Sequence, residues 1–203
     1  MVISHPNRYV YIAIPKTACQ AVSQWLVDNH WGEYVEPMTH RWWIPEDCAG
    51  YTIFTVVRNP YERCFSSWWF GCRDEARKAV LEARGDIPEF FGWSFERFMR
   101  WLIDGRDKVA RNPETGRPNI FMTQKRFFEL SGASLFFHHE NLPELSRLPF
   151  ISEFRPIPPR NVTQGKPKVP FNEYFAADAN AEELVWEYCS EDFGAFGYER
   201  QKA

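Results

Sequence analysis

The chain has 203 residues, 44% of them hydrophobic and 25% charged, with a formal net charge of −3. That length predicts one domain over residues 1–203 with an ordinary core, and the charge gives no general attraction to nucleic acid or anionic membranes. Five cysteines, an odd number without a Cys-x-x-Cys pair, argue against a disulfide framework or zinc site and for a reduced, cytoplasmic chain; no apolar run reaches transmembrane length, and MVISHPNRY holds no apolar signal region.

Residues 9–14 (YVYIAI) alternate and then run apolar, which predicts a buried strand. Pro15 ends it. Lys16, Thr17 and Ala18 form a tight turn, and from Cys19 the apolar positions Val22, Trp25 and Leu26 return at helical spacing. A strand turning sharply into a helix leaves the first helical N–H groups unpaired. With the helix dipole they make an anion site, and Lys16 adds a full positive charge at its mouth. An ordinary βα unit with a surface lysine has the same pattern. No glycine precedes Gly32, and Lys16 follows directly on Pro15 instead of opening the helix. Those two features separate the turn from a nucleotide triphosphatase loop and suit a phosphate-like group with no obligatory metal.

Residues 31–50 are irregular and aromatic and hold His40; a lone histidine there is by default a surface or packing residue. Residues 51–57 (YTIFTVV) are β-branched and aromatic, which predicts a central, parallel strand. It ends in Arg58-Asn59-Pro60, and Pro60 suits the first turn of a helix predicted over 61–70. Arg58 then stands at the carboxyl end of a central strand, where open α/β sheets bind ligands; Ser66 lies two turns along the helix. A buried arginine there needs an anion, either a carboxylate such as Glu62 or a bound phosphate. Residues 75–84 read as a charged helix, 95–103 as an amphipathic helix and 104–118, rich in turn residues, as an exposed loop. The Pro-rich, basic stretch 155–170 is either a linker or a loop bringing Arg160, Lys166 or Lys168 near a phosphate. Residues 179–189 predict a closing helix.

Two motifs in this order, IPKTACQAV after a strand and VVRNPYERCFSSWW across the next strand and helix, resemble the sulfotransferases that use 3′-phosphoadenosine 5′-phosphosulfate (PAPS), with the carbohydrate (heparan and chondroitin) branch the nearer match. Residues 121–128 with Gln124, LFFHHENL at 135–142, the Asn161-Val162-Thr163 step and the EYCSEDFGAFGY ending are similar to later landmarks of that family. The resemblance implies an α/β, P-loop-NTPase-like three-layer sandwich, a central parallel sheet flanked by helices. It implies sulfuryl transfer from PAPS, without a metal, to a hydroxyl of an acceptor, most closely a glycan, and no nucleic-acid or membrane partner.

By the same resemblance, Lys16 and the backbone of Thr17, Ala18, Cys19, Gln20 and Ala21 bind the 5′-phosphosulfate, and Arg58 and Ser66 bind the 3′-phosphate. Where the family carries glycine followed by Thr or Ser, this chain has Ala18-Cys19-Gln20-Ala21, with the Gln20 amide as a possible donor. In several members a His or Glu between the first helix and the arginine-bearing strand is the general base. His40 occupies that interval, with Glu36 and Glu33 as the carboxylate alternatives, and Lys16 would stabilise the leaving oxygen. Two other readings stay open: an ATP-dependent, kinase-like phosphotransferase, against which the missing glycines stand, and a non-catalytic nucleotide-binding remnant of the fold.

Overall fold

A computed structural model of the chain describes residues 1–35, 40–74, 78, 90–105, 121–160 and 165–200. It divides into two compact units, Met1–Arg58 with Gln124–Asn161 and Asn59–Thr123 with Val162–Ala203. The strands are β1 (Val2–Ser4), β2 (Tyr9–Ile12), β3 (Glu33–Tyr34), β4 (Thr52–Val57) and β5 (Leu135–His138). The helices are α1 (Cys19–Asn29), α2 (Pro60–Cys72), α3 (Phe95–Gly105), α4 (Gln124–Ser131), α5 (Phe171–Tyr174) and α6 (Ala179–Phe196), with 3₁₀ turns at Glu46–Cys48 and His139–Arg147. Among the described residues no helix is long and apolar enough to cross a membrane.

The first unit holds the whole sheet, in the order β3-β1-β2-β4-β5. β2, β4 and β5 run parallel, with Tyr9 opposite Thr52 and Phe54 opposite Leu135. β1 is antiparallel to both β2 and β3. The sheet is therefore mixed rather than wholly parallel as expected. The reason is local: only residues 5–8 join β1 to β2, and such a turn can return a strand antiparallel but cannot make a parallel crossover. Tyr9, Tyr11, Phe54, Val56 and Phe137 share one face with Val22, Trp25 and Leu26 of α1 and with Leu145, Leu148 and Ile151. Val10, Ile12, Thr55 and Val57 are buried as well, as both faces of central parallel strands are. The Thr55 hydroxyl, fully buried, donates to the Ile12 carbonyl at 2.7 Å. α4 is held by ring contacts of Phe128 with Phe136, at 6.2 Å, and of Phe127 with Trp42, at 6.1 Å.

The second unit is helical. Pro60 opens α2, and the Asn59 side chain caps it by accepting from the Tyr61 N–H at 3.0 Å. Phe65 and Trp68 of α2, Phe98 and Met99 of α3, and Leu184, Val185 and Tyr188 of α6 belong to one buried cluster. α6 runs seven residues past its predicted end, to Phe196, where Gly197 takes φ 70° and stops it. The charged helix expected over 75–84 lies outside the described residues apart from Lys78, as does most of the loop expected over 104–118; Asp104 and Gly105 belong to α3.

Candidate functional site

The site is built on the turn between β2 and α1. Lys16 has φ 70° and Ala18 φ 62°, both left-handed. A residue with a Cβ adopts that conformation at a cost of roughly 1–2 kcal/mol, so the turn holds a glycine-type backbone without glycine. The buried Thr17 hydroxyl pins it by donating to the Ile14 carbonyl at 2.9 Å. That hydroxyl proton is thereby committed to the fold, and Thr17 can offer a ligand its backbone N–H.

Ala18 is the N-cap of α1, with no side-chain capping bond and no acid in the first turn. The first helical bond runs from the Val22 N–H to the Ala18 carbonyl at 3.1 Å, so the N–H groups of Cys19, Gln20 and Ala21 precede the bonded ladder. Gln20 is exposed, and Lys16 and Ala18 are half-buried. Cys19 is buried. Burial pushes its thiol up, against the opposing pull of Lys16 and nearby backbone N–H groups. Its sulfur is thus a neutral packing atom, and its backbone is the part available to an anion.

Arg58 follows β4. Its Nη1 donates to the Lys16 carbonyl at 3.4 Å, which joins the end of β4 to the turn. Gln124, the first residue of α4 and fully buried, holds the Arg58 backbone from both sides. Its Oε1 accepts from the Arg58 N–H and its Nε2 donates to the Arg58 carbonyl, each at 2.8 Å. The amide thus continues the β4 hydrogen-bond ladder by one residue. The sequence marked Gln124 only as a landmark; its bonding to a residue far away in the chain has no local signature.

His40 Nδ1 lies 2.7 Å from the Ala13 carbonyl oxygen. The carbonyl only accepts, so Nδ1 carries the hydrogen and the neutral ring has its lone pair on Nε2. That is the tautomer a base requires.

Lys16, Arg58, His40 and Gln124 are thus linked within the first unit. Ser66 is on α2, in the second unit, and 5% exposed. Glu33 is an exposed residue of the edge strand β3, and Glu36 lies outside the described residues. Arg160 donates to Gln24 of α1 at 3.1 Å. In the second unit Glu62 accepts from the Phe171 N–H at 2.7 Å and lies 3.7 Å from Lys166. Arg63, which the sequence reading passed over, is 2% exposed and donates to the Met122 carbonyl at 2.8 Å.

The sheet and its flanking helices define an α/β protein in which Lys16 and Arg58 stand at the turn before an uncapped helix start. A family model described as the sulfotransferase family matches residues 1–126. The chain belongs to that family, whose members transfer sulfuryl groups, generally from PAPS, to hydroxyl-bearing acceptors. The match spans the turn, His40, Arg58, Ser66 and Gln124. No curated protein and no solved structure matches the chain significantly.

Proposed function

We propose that this chain transfers the sulfuryl group of PAPS to a hydroxyl of a carbohydrate, on a P-loop-NTPase-like, three-layer scaffold. The observation that carries the reading is the contact of the Arg58 guanidinium with the Lys16 main chain, 3.4 Å apart at the start of α1. It brings the Arg58 guanidinium to the lysine-bearing turn ahead of a helix start with no acid in its first turn, an arrangement suited to the two anionic ends of one nucleotide. Lys16 and the backbone of Thr17 to Ala21 hold the 5′-phosphosulfate, and Arg58 holds the 3′-phosphate.

PAPS, when bound, supplies an electrophilic sulfur whose bond to the bridging oxygen breaks as the acceptor oxygen bonds to it. His40 Nε2 takes the acceptor hydroxyl proton, a role worth ~10²–10⁴-fold. The Lys16 ammonium meets the charge growing on the bridging oxygen. Ala13 keeps the His40 ring in the tautomer that can accept.

Thermal unfolding with adenosine 3′,5′-bisphosphate, against ATP with magnesium, tests the donor assignment. At a hundred times its Kd a ligand stabilises by about 2.7 kcal/mol, and for a chain of this size each kcal/mol moves Tm by roughly 2–4 °C. A rise of about 5–10 °C with the bisphosphate, lost in Arg58→Ala, is expected. A rise with ATP–magnesium alone would instead favour phosphoryl transfer, and no rise with either would favour a non-catalytic remnant.

A further inference from the structure

At the far end of α1, about 16 Å along the helix from the donor turn, the first unit has a separate pocket of about 320 Å³. Its wall includes Asp28, Asn29, Trp31, Phe150, Glu153 and Arg155. Trp31 is the unusual member. It is 74% exposed and has φ 55°, a left-handed conformation that a tryptophan adopts only at a cost.

That conformation belongs to the end of α1: Trp31 follows the C-cap His30, and the left-handed turn there lets the Leu26 carbonyl accept, at 3.2 Å, from the N–H of Gly32. A Cβ there would sit 2.6 Å from Val2 Cγ1 and 2.8 Å from Tyr9 Oη, so glycine is needed where the chain passes β1 and β2. The left-handed position falls one residue earlier, on Trp31. The helix end accounts for that backbone, and the indole is left exposed. His30, next to it and also in the wall, is 8% exposed, and its Nε2 has no hydrogen-bond partner.

The polar groups of the wall are ordered. Gln24 holds Asp28 at 2.7 Å, Arg155 reaches Asn29 at 3.4 Å, and Asn7 donates to the His30 carbonyl at 2.8 Å. The wall carries two carboxylates, Asp28 and Glu153, to one guanidinium, Arg155, which disfavours a phosphate or sulfate. The Trp31 and Phe150 rings among planar carboxylate, amide and guanidinium groups suit a ligand with one C–H face and a rim of hydroxyls, and the volume lies at the small end of ligand pockets.

From this we infer that the pocket binds one neutral saccharide unit, stacked on Trp31 and hydrogen-bonded by Asp28, Asn29, Glu153 and Arg155, away from the transfer centre. The site takes a free sugar or one residue of a glycan chain by the same chemistry. It stands on the pocket alone and does not depend on the donor assignment.

The test follows the Trp31 indole N–H of the full chain by NMR. The probes are glucose, galactose, N-acetylglucosamine and their linear trisaccharides, with glucuronate and adenosine 3′,5′-bisphosphate as anionic controls. At least one neutral sugar is expected to shift that signal saturably at millimolar concentration, and a trisaccharide binding more tightly would mark a glycan-chain site. Trp31→Ala, read by calorimetry, should weaken binding by about tenfold, and Asp28→Asn should weaken it too. Both variants should keep the parent Tm, since both side chains are exposed. No saturable shift with any neutral sugar, undiminished binding in Trp31→Ala, or a Trp31 shift produced by the anionic probes alone would overturn the inference.

Discussion

His40 and Ala13 are joined by a 2.7 Å contact between Nδ1 and the carbonyl oxygen, three residues ahead of Lys16. The bond ties the candidate base to the same strand end that leads into the anion turn, and leaves Nε2 as the basic nitrogen. His40→Ala is expected to lower kcat by ~10²–10⁴-fold with bisphosphate affinity unchanged. His40→Asn retains an N–H for Ala13 but no base, so it should lose as much turnover while keeping the parent Tm. Saturating kinetics beside a melting curve check both, and full turnover in either variant would remove His40 from the chemistry.

Gln124 is a positioning residue for Arg58. Its side-chain amide satisfies both backbone groups of Arg58 in a fully buried setting. Gln124→Ala leaves an N–H and a carbonyl without that partner, at about 1–3 kcal/mol for each group. We expect Tm to fall by roughly 4–24 °C and bisphosphate affinity to fall with it, measured where the variant is still folded. Gln124→Glu can still accept from the N–H but sets an oxygen against the Arg58 carbonyl, so it should be no better than alanine. An unchanged melting temperature in Gln124→Ala would show that water replaces the amide.

The strand–turn–helix over residues 9–26 was legible because every part of it is local. The apolar run, Pro15 and the helical return of Val22, Trp25 and Leu26 lie within one window, and α1 runs from Cys19 to Asn29. The same holds for β4 and α2, where Pro60 and Asn59 mark the boundary. The antiparallel edge was not legible. β1 has three residues and β3 two, the latter both exposed, and neither is long enough to carry a period. Of the candidate site, Lys16 and Arg58 were marked by type and position, and His40 by the family resemblance. The left-handed turn did not, since alanine and lysine give no sign of it, and the bond from Gln124 to Arg58 is purely tertiary.

That turn makes its own prediction. Ala18 at φ 62° carries a Cβ penalty that glycine avoids. Ala18→Gly should raise stability by about 1 kcal/mol in chemical denaturation, with the m-value unchanged. Ala18→Val, with a branched Cβ in the same conformation, should destabilise. A loss of stability in Ala18→Gly would mean that the entropy of the unfolded chain outweighs the relief of strain.

In the second unit Glu182 accepts from the Tyr61 hydroxyl at 2.6 Å and pairs with Arg200 through two bonds of 3.0 and 3.1 Å. Burial opposes its ionisation, but the hydrogen bonds from Arg200 and Tyr61 and the Arg200 charge outweigh it and hold the carboxyl below its ordinary value of 4.5. A depressed folded value means that acid protonates the unfolded chain first. The stabilisation is therefore complete above the ordinary value and is lost as pH falls through the folded one. Melting curves from neutral pH to about pH 3 should show the parent losing this stabilisation only as the pH falls below the ordinary carboxyl value. Glu182→Gln should start lower at neutral pH and fall less steeply, because its amide does not titrate. Parallel curves for the two proteins would mean that other carboxylates carry the acid sensitivity.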